Sequence, residues 1–245
     1  MALRYKVIFS YDGSNFVGYQ IQNNGRTVQE ELQIALSKIN KQEIKVYASG
    51  RTDAGVHALN QVIHFDSIFE IEPENYKKAL NSNLPKDIYV KDVYKVDSSF
   101  HARFDAKKKH YRYYLNMGEY NPLKVNYIYQ YGKRLDINKM KEAACLFVGE
   151  HDFRNFTSTK DSEVTSFVRF INEFSIKVEN DIVIFDIIGS GFLRYMVRMM
   201  VGTLIHIGEN KISLEEITTR LDKKEDKPCP YKAPAEGLYL VEVMY

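Results

Sequence analysis

The chain is poor in the residues that mark specialised classes of protein. Its two cysteines, Cys145 and Cys229, are too few and too far apart for a disulfide scaffold or a zinc knuckle, and they suit a reducing cytoplasm. Six prolines and 13 glycines in 245 residues exclude a collagenous or linker-dominated chain. No charge of one sign prevails: 34 Lys and Arg oppose 32 Asp and Glu, so the net charge of +2 argues for neither a nucleic acid nor a membrane as partner. The longest apolar run, residues 191–208, is interrupted by Arg194, Arg198 and His206 and falls short of the roughly 18 to 20 apolar residues of a membrane span. Arg4 and Lys6 stand where a signal peptide needs its apolar stretch, so a cytoplasmic location is expected. Also missing are the Gly-x-x-x-x-Gly-Lys phosphate loop, the Gly-x-Ser-x-Gly elbow and a Cys-x-x-Cys pair, and His57 and His64 have no ligand cluster around them. Neither a metal nor a cofactor is expected.

What remains is a globular composition, 44% hydrophobic and 27% charged, in a chain long enough for one large domain or two. Residues 5–11 alternate β-branched and aromatic side chains up to the turn pair Asp12-Gly13 and read as a strand. Thr27-Val28-Gln29-Glu30 is a capping box, and Val28, Leu32, Ala35, Leu36 and Ile39 follow at helical spacing. Strands over 44–49 and 61–66, a helix after Pro73 and a strand over 88–96 complete the first half. The second half repeats the order: strand 109–117, helix 137–147, strands 167–178 and 182–188, helix 192–207, a shorter helix 213–221 capped by Ser213, and strand 237–244. The pattern predicts an α+β fold of two tandem ferredoxin-like β-α-β-β-α-β units, 1–103 and 104–245. Their antiparallel sheets would join side by side, with helices on one face and the other face open for binding.

Charge is not spread evenly. From Phe100 to Tyr114 five Lys and Arg side chains alternate with five aromatic rings against a single acid, Asp105. Cations that neutralise phosphates and rings that stack on bases suit looped or single-stranded RNA. The same run also reads as a strand edge guarded by lysines. Arg194 and Arg198, four apart, share a face of an otherwise apolar helix, either toward a polar cleft or snorkelling at the surface.

One loop has the makings of a reactive site. In Gly50-Arg51-Thr52-Asp53-Ala54-Gly55-Val56-His57 a single acid lies between small residues directly after a strand. A nearby guanidinium from Arg51 would hold Asp53 ionised, as a nucleophile or base needs. Taken alone, a glycine-flanked aspartate is equally the mark of a turn.

The sequence resembles the TruA family of tRNA pseudouridine synthases over essentially its whole length. The matching segments are Tyr11-Asp12-Gly13-Ser14-Asn15-Phe16, Gly18-Tyr19-Gln20, Arg26-Thr27-Val28-Gln29, the Gly50 to His57 loop, Phe100-His101-Ala102-Arg103-Phe104, Tyr111-Arg112-Tyr113, Gly149-Glu150-His151-Asp152-Phe153, Gly191-Phe192-Leu193, Met196-Val197-Arg198 and Ala233-Pro234-Ala235. The resemblance implies that Asp53 is the catalytic nucleophile, Arg51 its orienting partner, Tyr111 the residue that contacts the target base and Arg198 a basic residue lining the cleft. Arg103, Lys107, Lys108 and Arg112 are then candidate contacts to RNA. It further implies a homodimer acting on uridines 38, 39 and 40 of the tRNA anticodon stem-loop. Three positions depart from the pattern: Tyr19 stands where the family usually has Trp, Asp105 adds an acid to the basic stretch, and Arg194-Tyr195 differs between Leu193 and Met196. A non-catalytic RNA-binding protein is the other reading of a ferredoxin-like sheet, but the aromatic RNA-binding strand motif it predicts is missing.

Overall fold

A computed structural model describes residues 2–222 and 227–245 of the chain and has an α+β architecture. Its contacts divide into two compact units, Met1–Lys107 with Tyr239–Tyr245, and Lys108–Leu238. In the first unit β1 (Leu3–Tyr11), α1 (Val28–Asn40), β2 (Tyr47–Ala48), β3 (His57–Ser67), α2 (Pro73–Asn83) and β4 (Ile88–Val96) follow in order. The sheet order is β4-β1-β3-β2 and every neighbouring pair is antiparallel, with Val7 opposite both Ile63 and Val93. Alternation along β1 buries Tyr5, Val7, Phe9 and Tyr11. Tyr5 stacks on Phe65 at 5.5 Å and meets Tyr76 of α2 edge-on at 4.7 Å, so α2 covers this face. A buried polar knot fixes the helices: Ser67 and Tyr76 hydroxyls donate to Asn40 Oδ1 at 2.6 and 2.8 Å, and Asn40 Nδ2 donates to the Leu36 carbonyl at 2.8 Å.

Helix α1 begins as its capping box predicts, with Thr27 Oγ1 accepting from the Glu30 amide. The strand expected over 44–49 shrinks to the two residues of β2. Its amides are taken by α1 instead: Ile44 N donates to Ser37 Oγ at 2.9 Å and Val46 N to Gln33 Oε1 at 3.3 Å, leaving little for a ladder. Strand β3 in turn starts at His57, four residues before the expected start, and absorbs the end of the glycine-flanked loop.

The second unit contains β5 (Lys108–Asn116), β6 (Tyr129–Gln130), α3 (Ile137–Cys145), β7 (Gly149–Asp152), β8 (Val168–Glu179), β9 (Ile182–Gly189), α4 (Met196–Gly208) and α5 (Glu215–Leu221). Its sheet runs β5-β9-β8-β7, all antiparallel, with β6 parallel to the end of β5. Phe147 packs against Phe153, Phe156 and Phe174 in the core. Short strands β6 and β7 have no counterpart in the sequence reading, since two to four residues carry no measurable period. Helix α4 starts at Met196, not Phe192. Tyr195 adopts the left-handed φ of 63°, and the Arg194 carbonyl accepts from Thr157 Oγ1 (2.8 Å), so the first expected turn is not helical. Likewise α5 begins at Glu215 without a side-chain cap; Ser213 contributes its carbonyl to the Glu216 amide at 3.3 Å. The final strand, β10 (Leu238–Met244), pairs in parallel with β3 through Tyr239–His57 and Leu240–Ala58. Residues 239–245 therefore belong to the first unit, although their order in the chain puts them in the second half.

Candidate active site

The Asp53 loop is tied to the rest of the first unit from several directions. Tyr11 and Thr52 hydroxyls lie 2.7 Å apart, Gln61 Nε2 donates to the Gly50 carbonyl at 3.0 Å, and Ser49 Oγ donates to Gln61 Oε1 at 2.7 Å. The residue 13–19 loop closes over it: Tyr19 N donates to the Thr52 carbonyl at 3.1 Å, Gly55 N to the Phe16 carbonyl at 3.4 Å, and Gly13 N to Nδ1 of buried His57 at 3.0 Å. Gly18 makes this approach possible. Its φ is +122°, and a Cβ there would lie 3.2 Å from the Thr52 carbonyl oxygen and 3.6 Å from the Asp53 carbonyl carbon. Val56 N donates to the Asp53 carbonyl at 3.2 Å, so Asp53 opens a tight turn. The turn expected of a glycine-flanked aspartate is formed, and it leaves Asp53 half-buried between buried Thr52 and buried Val56. Burial pushes the Tyr11 phenol up to about 12, against the lowering effect of Thr52 and Gln61, so it stays a neutral hydrogen-bonding group beside the loop. Arg51, two residues before Asp53 on the same loop, is exposed.

The site residues of the second unit lie on β5 and α4. Tyr111, 7% exposed, sits opposite Ile187 and meets the Phe192 ring edge-on at 5.1 Å. One residue along, Arg112 points to the other face of the strand, where its Nε donates to Asp186 Oδ1 at 2.7 Å; His110 Nε2 reaches the same oxygen at 2.6 Å. Burial alone would raise the Asp186 pKa, but the His110 and Arg112 hydrogen bonds outweigh it and hold the carboxyl below its usual range. Asp186 is a residue the sequence reading missed, because nothing local shows that β9 sets it opposite Arg112. Arg198 Nε donates to the Ala233 carbonyl at 2.8 Å.

Elsewhere in the aromatic-basic stretch, Arg103, Lys107 and Lys108 are exposed. His101 Nδ1 accepts from the Arg103 and Phe104 amides at 3.1 and 3.3 Å, a turn that leaves Phe104 75% exposed with the Arg103 guanidinium 5.9 Å from its ring centre. Asp105 Oδ2 accepts from the His101 amide at 2.8 Å, so this acid braces the turn. Among the described residues no group of three or more His, Cys, Asp or Glu is placed to hold a metal ion, and no helix is long and apolar enough to cross a membrane.

A family model described as tRNA pseudouridine synthase matches residues 7–105 and 143–245. The chain belongs to this family. Asp53, Arg51, Arg103 and Arg198 lie inside the segments matched to the tRNA pseudouridine synthases, whereas Lys107, Lys108, Tyr111 and Arg112 fall between them. The tRNA pseudouridine synthase A of Limosilactobacillus fermentum is 48% identical over 248 residues, covering 99% of this chain and 96% of that protein. Those of Anoxybacillus flavithermus and a Geobacillus species are 48% and 45% identical, over 99% and 100% of this chain and 98% and 99% of their own lengths. A solved structure, the crystal structure of a Cbf5-Nop10-Gar1 complex, matches with a TM-score of 0.33 at 14% identity, over 82% of this chain and 54% of that chain, too remote to bear on the fold.

Proposed function

We propose that the protein isomerises uridine to pseudouridine in tRNA, at uridines 38, 39 and 40 of the anticodon stem-loop, with Asp53 as the catalytic nucleophile and without a cofactor. The observation that carries this reading is the family match along both arms of the chain, with Asp53 on a loop whose backbone is fixed while its side chain stays partly open to solvent. The reaction breaks the N1–C1′ bond, turns the base and joins C5 to C1′; no electrons are gained or lost, so no redox partner is required. Asp53 starts cleavage by attacking C1′ or by taking the C2′ proton, then assists removal of the C5 proton. Tyr111 stacks on the base. The uridine must first leave its own stack at a cost of a few kcal/mol, which phosphate contacts by Arg198, Arg103, Lys107, Lys108 and the uncommitted N–H groups of Arg112 offset. Arg51, exposed on the same loop, orients Asp53.

The same reading makes each half a ferredoxin-like unit, for which the antiparallel β4-β1-β3-β2 order of the first unit and the β5-β9-β8 succession of the second are the support. It also makes the protein a cytoplasmic homodimer. The test is tritium release from tRNA labelled at uridine C5. Wild type is expected to release it and Asp53→Asn to release none; silence from the wild type on every tRNA ends the isomerase reading, and an active Asn variant ends the assignment of Asp53.

A further inference from the structure

The left-handed turn ahead of α4 gathers three positive charges on one ring. The Lys232 ammonium lies 4.4 Å, the Arg194 guanidinium 5.1 Å and the Arg198 guanidinium 5.4 Å from the centre of the Tyr195 ring. Three stretches of the second unit hold this arrangement. Thr157 Oγ1 and the Ser158 amide donate to the Arg194 carbonyl at 2.8 and 3.3 Å, and the Arg194 amide donates to Thr159 Oγ1 at 3.3 Å. The segment that carries Lys232 is laid along α4: Ala233 N donates to the Arg198 carbonyl at 2.9 Å, and a Cβ on Gly202 would lie 2.8 Å from Lys232 N. Only a glycine at position 202 lets that backbone come so close. Tyr195 itself sits at φ 63°, which a non-glycine residue adopts at a cost, and the cost is met by the hydrogen bonds around it.

The charges of Arg194 and Lys232 are not balanced by the ring. A cation over an aromatic ring gains about 0.5–1 kcal/mol at an exposed site. Like charges held over one ring repel by an amount comparable to that gain. The ring therefore gathers Arg194 and Lys232 without neutralising them. Arg194 and Lys232 are both exposed, and neither forms an ion pair among the described residues. An anion with several acceptor oxygens would satisfy both.

We propose that Arg194, Tyr195 and Lys232 form a binding site for a phosphodiester of the tRNA backbone, with the ring setting the separation of the two free cations. The site deepens the tRNA reading above and rests on it for the identity of the ligand. Its residues include Arg194 and Tyr195, the two between Leu193 and Met196.

The test is binding of an unmodified tRNA transcript between about 50 and 200 mM salt. Arg194→Ala combined with Lys232→Ala is compared with wild type and with Lys133→Ala plus Lys141→Ala, which removes two exposed charges elsewhere in the unit. Each phosphate neutralised contributes about 0.7 to 0.9 to the slope of log affinity against log salt. The cluster variant is therefore expected to lose about 1.4 to 1.8 of that slope, and the control pair to follow wild type. Tyr195→Asn, which tolerates the left-handed turn but removes the ring, is also expected to weaken binding. Urea midpoints read folding separately, and Gln at 194 and 232 keeps the stems should the alanine pair unfold. An unchanged slope in a variant that still releases tritium overturns the phosphate site alone; a reduced slope in the variant, beside a wild type that never releases tritium, overturns the isomerase and leaves the site standing.

Discussion

Tyr19 lies in the segment that closes over the Asp53 loop. The side chain is 2% exposed, and its hydroxyl has no hydrogen-bond partner among the described residues. Burial pushes its pKa well above the usual phenol value, with the neighbouring Tyr11 adding to the rise. An unsatisfied buried hydroxyl costs about 1–3 kcal/mol. Tyr19→Phe is accordingly expected to raise stability, by about 1 kcal/mol in a urea titration; a lowered midpoint would show that the hydroxyl is bonded in solution. Gly18 is constrained more severely. Gly18→Ala puts a Cβ against the Thr52 carbonyl at a positive φ, so the Asp53 loop has to shift. Turnover is expected to fall by about 10- to 100-fold, because misplacement of a reactive group by about 1 Å has that effect, while tRNA affinity is retained; equal losses in both would mean the loop positions RNA rather than Asp53.

His64 sets a pH dependence. It is 2% exposed, and its Nδ1 accepts from the Ala102 amide at 3.1 Å. Burial first, and then the charges of His101 and Arg4, push its pKa down to about 4 from 6.5. The unfolded chain takes up this proton near 6.5 while the folded one refuses it until about 4, so its contribution to stability is present above pH 6.5 and is lost as pH falls through that window. Urea titrations at pH 7.5 and 4.5 should show that loss, and His64→Gln should show a smaller one.

At the level of strands and helices, the Arg112–Asp186 pair shows how pairing redirects a charge. Asp186→Ala leaves the Arg112 guanidinium half-buried without its carboxylate, and we expect a loss of about 1–3 kcal/mol. Arg112→Ala is expected to cost a similar amount and the double variant less than the two together, the coupling expected of residues in contact. Additivity would mean that the two residues act independently. Local signals explain the elements that were legible in the sequence. Thr27 and Glu30 announce α1 because a cap needs only neighbours along the chain, and Val28, Leu32, Ala35 and Leu36 announce its buried face because helical spacing is a local property. The start of α4 was not legible, since Thr157, from a distant loop, takes the Arg194 carbonyl. The short extent of β2 was hidden for the same reason: Ser37 and Gln33 of the neighbouring helix take the amides of Ile44 and Val46, just ahead of it.

For the molecule as a whole, the net charge of +2 is an average over unlike surfaces. Lys107 and Lys108 are exposed, and Lys107→Ala with Lys108→Ala should weaken tRNA binding and flatten its salt dependence by about 1.4 to 1.8. An unchanged titration would remove these lysines from the interface. The parallel pairing of β10 with β3 belongs at this level too, because it joins a strand at one end of the chain to one laid down near the other, and no periodicity reports a partner so far away.

The amino-acid sequence by itself determined the class of the protein and singled out the Asp53 loop as its candidate site. An aspartate between glycines, a capping box and an aromatic-basic stretch are patterns written in consecutive residues, where spacing alone carries the physics. Only the tertiary structure decided which charges remain available. Arg112 is engaged by Asp186 across the sheet, and Arg194 and Lys232 meet over Tyr195. A charge is neutralised, buried or left for a ligand according to what lies within a few ångströms of it, and those neighbours come from strands and loops remote in sequence.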